Sequence, residues 1–581
     1  MTTYVTSGVT STGLTVGSAG QVQVLSGGTA IDTVVNSSGT QVVWSGGTVS
    51  GTILSGGTEL DNGVASFTTV SNGGSEVVSS GGTAVGTIVN RGGAEDVYGT
   101  TSGTTLSSGG QAYVYLGGGT SGTTVDRKAI EWVSSGGTAT GTIVSAGGRE
   151  YVYSGGSVGG TVVGNGGQDN VYFSGTASGT IVGSGGEEIV QSGGMAISAT
   201  VSGGGYEYVS AGTASGTTVS SGGGDYVFSG GTASGTTVLG DGDEYVSSGG
   251  TASGTIVSSD GTQYVYDGKT IGTILSGTEF VFSGGAASGT VVGDGGYEYV
   301  YLNGTASGTI VRGGGDAVVS GTASGTIVSS GGYEYVSGRA IGTVVTGGKE
   351  YVRSGGMASG TVVNSGYEYV CSVGTASGTV VSGGEEQVSG TAIDTTVSSG
   401  GIEYVYSGGT ASATTVSSGG TEYVSSGGTA VGIMLSAGGT AVLRSGAVTS
   451  GGITLAGSGA RLEIDGTAMP SAPISGFLAA ATIDLADEAY TSGGQATLGA
   501  GNVLQITGLG APTLDLQLDQ GLNYNDTSFL LASDGSGGTD IMSDTTYTWI
   551  GGSSDNDASV AANWSPASGP PQPGDTIVVP G

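Results

Sequence analysis

A phrase close to Gly-Gly-Thr-Ala-Ser-Gly-Thr-x-Val recurs through this chain, and Glu-Tyr-Val follows it half a period later. Its Thr-Ala start falls at Thr213, Thr232, Thr251, Thr305, Thr322, Thr375, Thr391, Thr410 and Thr429. The commonest step is 19 residues, with a shorter step of 16 from Thr375 to Thr391. A fixed period near 20 residues is the mark of a solenoid, in which one coil cannot bury its apolar face without its neighbours. The period therefore argues for one elongated body rather than several globular domains.

Of 581 residues, 128 are Gly, a content that also fits disorder or collagen. Disordered chains lack regularly placed Val, Ile and Tyr, which here lie within a 36% hydrophobic fraction, and collagen needs Gly at every third position. Each period holds two extended pieces between Gly-Gly or Ser-Gly corners. One is Tyr-Glu-Tyr-Val (Tyr206 to Val209, Tyr297 to Val300); the other is Ala-Ser-Gly-Thr-x-Val (Ala252 to Val257, Ala323 to Val328). Both are rich in β-branched and aromatic residues, with Gly supplying positive φ at the bends. No helical periodicity appears.

The expected fold is all-β: a single-stranded parallel β-helix, or β-solenoid, of about 23 coils between Leu25 and Ala460. All eight prolines lie at or after Pro470, which suits a ladder in which every N–H is needed. The expected domains are a solenoid over 1–461, a divergent β cap or continuation over 462–546, and a small β module over 547–581 that breaks off at Gly581. Residues 58–80 and 99–130 read as degenerate coils.

Val209, Val246, Val300 and Val336 are expected to form one internal ladder. Val219, Val257, Val292 and Val328 form a second, and Ala214, Ala252 and Ala306 line a third corner. Alternation then points Tyr208, Tyr226, Tyr245, Tyr264, Tyr299, Tyr335, Tyr351, Tyr369, Tyr404 and Tyr423 outward as an aromatic ladder. That row either reinforces coil register or offers a flat contact surface for carbohydrate or another rod. The same alternation puts Glu207 on the side of Val209, so either the strand bends or the inside and outside are reversed.

Little in the chain supports catalysis. There is no histidine, which removes Ser-His-Asp and Cys-His arrangements and His-based zinc sites. Adjacent Glu187-Glu188 and Glu385-Glu386 face opposite ways on a strand. Glu207, Glu244, Glu298, Glu334, Glu350, Glu368, Glu403 and Glu422 recur periodically, whereas a catalytic pair needs a unique place. They read as a solvated or corner-satisfying row. Gly203-Gly204-Gly205 and Gly313-Gly314-Gly315 lack the Gly-Lys-Ser/Thr of a phosphate loop. Gly240-Asp-Gly-Asp243 occurs singly, without the nine-residue spacing of calcium-binding repeats. No catalytic residue, cofactor site or metal ligand is assigned, and Cys371 stands where other repeats carry Ser.

Eleven Lys and Arg against 45 Asp and Glu, a formal charge of -34, argue against nucleic acid or an anionic membrane surface as partner. The acidity is expected to keep a strand-rich surface soluble. No apolar run is long enough for a membrane-spanning helix, and no Lys or Arg precedes Arg91, so no conventional signal peptide is expected within the chain.

The units Ser229 to Gly242 and Ser407 to Gly420 resemble the repeats of AIDA-type autotransporter adhesins, and the resemblance runs from about Leu25 to Arg444. It implies a right-handed helix, displayed on a Gram-negative surface or secreted, that mediates adherence, autoaggregation or biofilm formation. Partners would be host or bacterial surface carbohydrate or protein, or further copies of the chain. It also implies a glycosyltransferase acting on repeat serines, which by position are Ser215, Ser234, Ser253, Ser307, Ser324, Ser359 and Ser377. The family's outer-membrane barrel is not seen in residues 462–581. Three other readings remain at this point. One is a stalk that displays a further C-terminal domain, and another is a β-helix enzyme acting on polysaccharide. The third is an ice-binding surface built on Thr251, Ser253 and Thr255.

Overall fold

In a computed structural model, the chain winds as an all-β parallel solenoid of about 25 turns. The structure describes residues 1–477, 480–510, 512–524, 527–551, 558–560, 563–565, 571 and 576–579. Most of the module expected over 547–581 lies outside the described residues. Two compact units are distinguished: Met1–Val291 with Gly295–Thr305, and Val292–Asp294 with Ala306–Gly581.

Within the first unit, the coil at Tyr206 shows how the phrase folds. Three strands make the turn: Tyr206–Ser210, Thr213–Ser215 and Thr218–Val219. Two extended pieces were expected; the second is divided because Gly216 takes φ +68° between Ser215 and Thr217. Each strand pairs in parallel with its equivalent one coil on, Tyr208 with Tyr226, Ala214 with Ala233 and Val219 with Val238. The degenerate stretch 58–80 keeps this plan, with strands at Thr58–Asp61, Val64–Ser66 and Thr69–Ser71.

The division explains the inside of the coil. Glu207 and Val209 share one parity, Ala214 stands alone, and beyond the bend Thr217 and Val219 share another. All five are buried, at no more than 1% exposure. The Val and Ala ladders are buried as alternation predicts: Val209, Val246, Val300 and Val336, then Val219, Val257, Val292 and Val328, then Ala214, Ala252 and Ala306. Burying one such valine contributes about 1.5–3 kcal/mol, repeated once or twice per coil. Thr251, Ser253 and Thr255 do not share a face. The chain turns at Gly254 (φ +63°), so Thr255 points inward while Thr251 and Ser253 stay half-exposed.

In the second unit the parallel ladder runs to Thr482–Leu485, which pairs in parallel with Arg461–Ile464. Its other edge pairs antiparallel with Thr539–Trp549, which in turn pairs antiparallel with Thr527–Ser533. A separate antiparallel sheet joins Gln495–Leu498, Val503–Thr507 and Leu514–Gln517. Larger side chains replace Val and Ala in this core: Phe477, Leu504, Ile506, Leu516, Tyr524 and Ile541 are all buried. Arg461 ties the change of direction together, reaching Asp484 at 2.6 Å and Asp540 at 3.5 Å. Among the described residues helical geometry is limited to short 3-10 turns such as Ala500–Asn502, and no helix is long and apolar enough to cross a membrane.

Candidate functional site: two sides of the Glu-Tyr-Val strand

The Glu of Glu-Tyr-Val is not solvated. Glu207, Glu244, Glu298, Glu334, Glu350, Glu368, Glu403 and Glu422 are at most 1% exposed, on the same inner side as the valines. This corrects the reading of a solvated row: the strand does not bend, and the inside is not reversed. Parity holds for a charged residue type as it does for Val. Register stacks these groups coil on coil, Glu188 on Glu207, Glu207 on Asp225 and Asp225 on Glu244. In the second unit Glu350 stacks on Glu368, Glu368 on Glu386 and Glu386 on Glu403. Almost half of the chain's Asp and Glu are therefore interior, and the formal charge overstates how acidic the surface is.

The Thr of Gly-Thr-x-Val is what meets this row. Thr255 Oγ1 donates to Glu244 Oε2 at 3.0 Å, Thr161 to Glu150 at 2.9 Å, Thr290 to Glu279 at 3.1 Å and Thr361 to Glu350 at 3.1 Å. Gln263 occupies the Glu slot in one coil, and its Nε2 donates to Glu244 Oε2 at 2.6 Å. No Lys or Arg is among the buried residues. Removal from water, reinforced by the neighbouring carboxylates, pushes Glu150 up to about 8. Burial likewise pushes Glu207 and Glu334 up to about 7 and Glu422 up to about 8. Glu188, Asp225, Glu368 and Glu403 are raised well above the ordinary carboxylate range, burial again leading. Burial and stacking thus favour the protonated, neutral form of these carboxyls, which relieves the like-charge repulsion along the stack. Thr255→Val keeps the shape but removes a donor from a buried carboxyl. It should cost about 1–3 kcal/mol in denaturant unfolding of the coils around Glu244.

The outer side of the same strand carries the aromatic row. Tyr226 lies 4.6 Å from Tyr245, which lies 4.8 Å from Tyr264, with ring planes within 8°. Tyr208 joins at 5.2 Å, Phe280 continues the row at 5.5 Å from Tyr264, and Tyr299 follows at 5.2 Å. In the second unit Tyr335, Tyr351 and Tyr369 stack at 5.3 and 4.6 Å, and Tyr404 stacks on Tyr423 at 5.0 Å. Gln387 stands between those two stacks. All ten tyrosines are half-buried. Arg353 lies 4.1 Å over the Tyr335 ring, a cation–π contact.

A second aromatic column was missed in the sequence. Tyr266, Phe282 and Tyr301 stack at 4.3 and 4.8 Å beside the first column. The signal was present as Tyr-Val-Tyr and Phe-Val-Phe, since two residues on along a strand is the same face.

The serines lie one strand away, each just before a glycine with positive φ. Ser215, Ser234 and Ser253 fall in register in the first unit, and Ser359 and Ser377 in the second. Ser234 and Ser307 are exposed; Ser215, Ser253, Ser324, Ser359 and Ser377 are half-exposed. The hydroxyls of Ser215, Ser234, Ser253, Ser324, Ser359 and Ser377 donate to the Ala carbonyl one coil back at 3.4–3.5 Å. Bonds that long hold a hydroxyl weakly.

The family described as "Adhesin of bacterial autotransporter system, probable stalk" matches residues 59–110. The crystal structure of a TibC-catalysed hyper-glycosylated TibA fragment is 31% identical over 58% of this chain and 99% of that one, with a TM-score of 0.31. It is the identity across nearly all of that fragment, not the superposition, that decides the relationship. The chain belongs to the AIDA-type autotransporter adhesin repeat family. It is an adhesin-like autotransporter passenger. PfbA, a surface adhesin of Streptococcus pneumoniae, aligns over 79% of this chain and 91% of its own at 8% identity and a TM-score of 0.08, too distant to bear on fold or function. A comparison with curated proteins finds no match.

Proposed function

We propose that this chain is a non-catalytic adhesin at a bacterial surface or in the medium around it, and that its outer faces mediate adherence, autoaggregation or biofilm formation. The observation that carries the reading is the repetition of one aromatic and hydroxyl pattern in register from coil to coil. Many identical weak contacts give avidity without any single deep pocket. Partners of this chemistry are surface carbohydrate, surface protein or further copies of the chain. The repeat serines Ser215, Ser234, Ser253, Ser307, Ser324, Ser359 and Ser377 are proposed acceptors for a glycosyltransferase, supported by the hyper-glycosylation of the TibA fragment. Residues 1–461 would supply the adhesive surface, 462–546 the cap and 547–581 the start of a further module.

Display of residues 1–461 on a non-aggregating bacterium should make the cells clump or bind a glycan-coated surface. Replacing Tyr208, Tyr226, Tyr245 and Tyr264 together by Ser should reduce that several-fold with display unchanged. Displayed protein that neither clumps cells nor binds would favour a stalk instead, and products released from pectin or alginate would favour an enzyme.

A further inference from the structure

We propose that Glu59, Asp61 and Glu76 form an internal binding site for one hard divalent cation of the calcium–magnesium class. One carboxylate oxygen from each lies within 4.8 Å of the others, and all three residues are fully buried. Elsewhere the interior carboxyls stack in single file; among the described residues this is the one place where three converge on a point. A calcium ion sits about 2.4 Å from its oxygens, so opposed ligands lie about 4.8 Å apart.

Asp61 is what makes the place unusual. Its partners in register are Val43 and Val78, so it occupies a slot of the apolar ladder rather than the Glu slot. Glu59 is well supplied with donors: Gln41 Nε2 at 2.8 Å, Thr68 Oγ1 at 3.1 Å and Thr52 Oγ1 at 3.2 Å. Asp61 meets no hydroxyl, amide or cationic donor; the group it faces is the carboxyl of Glu76. A fully buried Asp with no outside donor, aimed at two other carboxyls, is costly whenever the cluster is ionised.

Side-chain cations cannot offset it. No Lys or Arg precedes Arg91, while three of the four acidic residues before Arg91 (Asp32, Glu59, Asp61 and Glu76) meet here. Protons would link carboxyls pairwise along a line. Three oxygens gathered round one centre, all hard donors, are the set a divalent cation completes, taken up as these coils close.

The test is to unfold the full chain in denaturant and refold it with EDTA, or with millimolar calcium, magnesium or manganese. Metal content is then measured after desalting, together with the melting temperature. Wild type refolded with one of the cations should retain one ion per chain and melt higher than the EDTA sample. Asp61→Val, which restores the neighbouring valines' pattern, should fold and fall to background metal. Glu403→Gln, far along the chain, should keep the ion. Background metal in wild type with all three cations would mean that protons alone fill the cluster, and would overturn the proposal. An ion retained equally by Asp61→Val would overturn it too.

Discussion

The melting temperature of this protein should fall steadily as the pH rises from about 5 to 9, opposite to a protein held together by ionised carboxylates. Burial raises Glu150 to about 8 and Glu207 and Glu334 to about 7 in the folded chain, with repulsion from Glu131 adding at Glu150 and from Glu244 at Glu207. An unfolded Glu titrates near 4.3. Between these values the folded state binds more protons than the unfolded one, so stability decreases with pH. The contribution is complete below the unfolded value and is lost as the pH climbs through 7 to 8. For Glu207 alone the swing is about 4 kcal/mol, and neighbouring groups in the file titrate together, so their swings do not simply add. Circular dichroism melts at pH 5, 7 and 9 would measure it. Replacing Glu150, Glu207 and Glu334 by Gln, the residue that nature places at Gln263 in the same slot, should flatten the profile and raise stability at pH 8. A profile that is level or rising between pH 5 and 8 would show that the interior carboxyls are ionised as they stand.

The sequence made the outline of this interior visible and hid its chemistry. A 19-residue period with strand alternation is enough to place Val209, Val246 and Ala214 inside, because position along a pleated strand decides facing. The same rule placed Glu207 inside, but the expectation that a carboxylate seeks water outweighed it. What resolved the conflict was Thr217 and Thr255, whose inward turn depends on a backbone bend at Gly216 or Gly254. In sequence, that bend looks like any other Ser-Gly-Thr. The aromatic columns were half legible, through Tyr208 but not Tyr266, although both follow from one parity. The switch to antiparallel pairing at Thr482–Leu485 was not legible at all. Strand composition says that a segment pairs, not which way its neighbour runs. Nor could spacing reveal the meeting of Asp61 with Glu76, which lie in adjacent coils and in different slots.

The two glycines of a single Gly-Gly corner should respond very differently to the same substitution. Gly249 takes φ +84° beside Ser248 at φ +45°, and the N–H of Gly250 closes the turn on the carbonyl of Ser247 at 2.8 Å. Two central residues in the left-handed region make this a turn of the type I′ kind. A Cβ on Gly249 would meet nothing within 4 Å, so Gly249→Ala pays only for its backbone region, about 1–2 kcal/mol. Gly250 has no such φ, yet a Cβ there would lie 2.2 Å from the carbonyl oxygen of Val227, one coil back. That oxygen belongs to the stacked backbone and has no rotamer with which to escape. The next ladder bond, from Thr251 N to Gly231 O at 3.0 Å, holds the coils at that spacing. Gly250→Ala should therefore cost about 3 kcal/mol or more and open the ladder between the coils of Val227 and Val246. Hydrogen exchange would show the opening as lost protection at Thr251 and its neighbours, with distant coils unaffected, because repeats couple mainly to their nearest neighbours. Equal costs at the two positions would mean that corner flexibility, rather than the close approach of coil to coil, is what demands the second glycine. The same geometry recurs at Gly231, where a Cβ would lie 2.2 Å from the Val209 carbonyl oxygen, so the second glycine of the repeated phrase is set by the spacing of a stacked sheet.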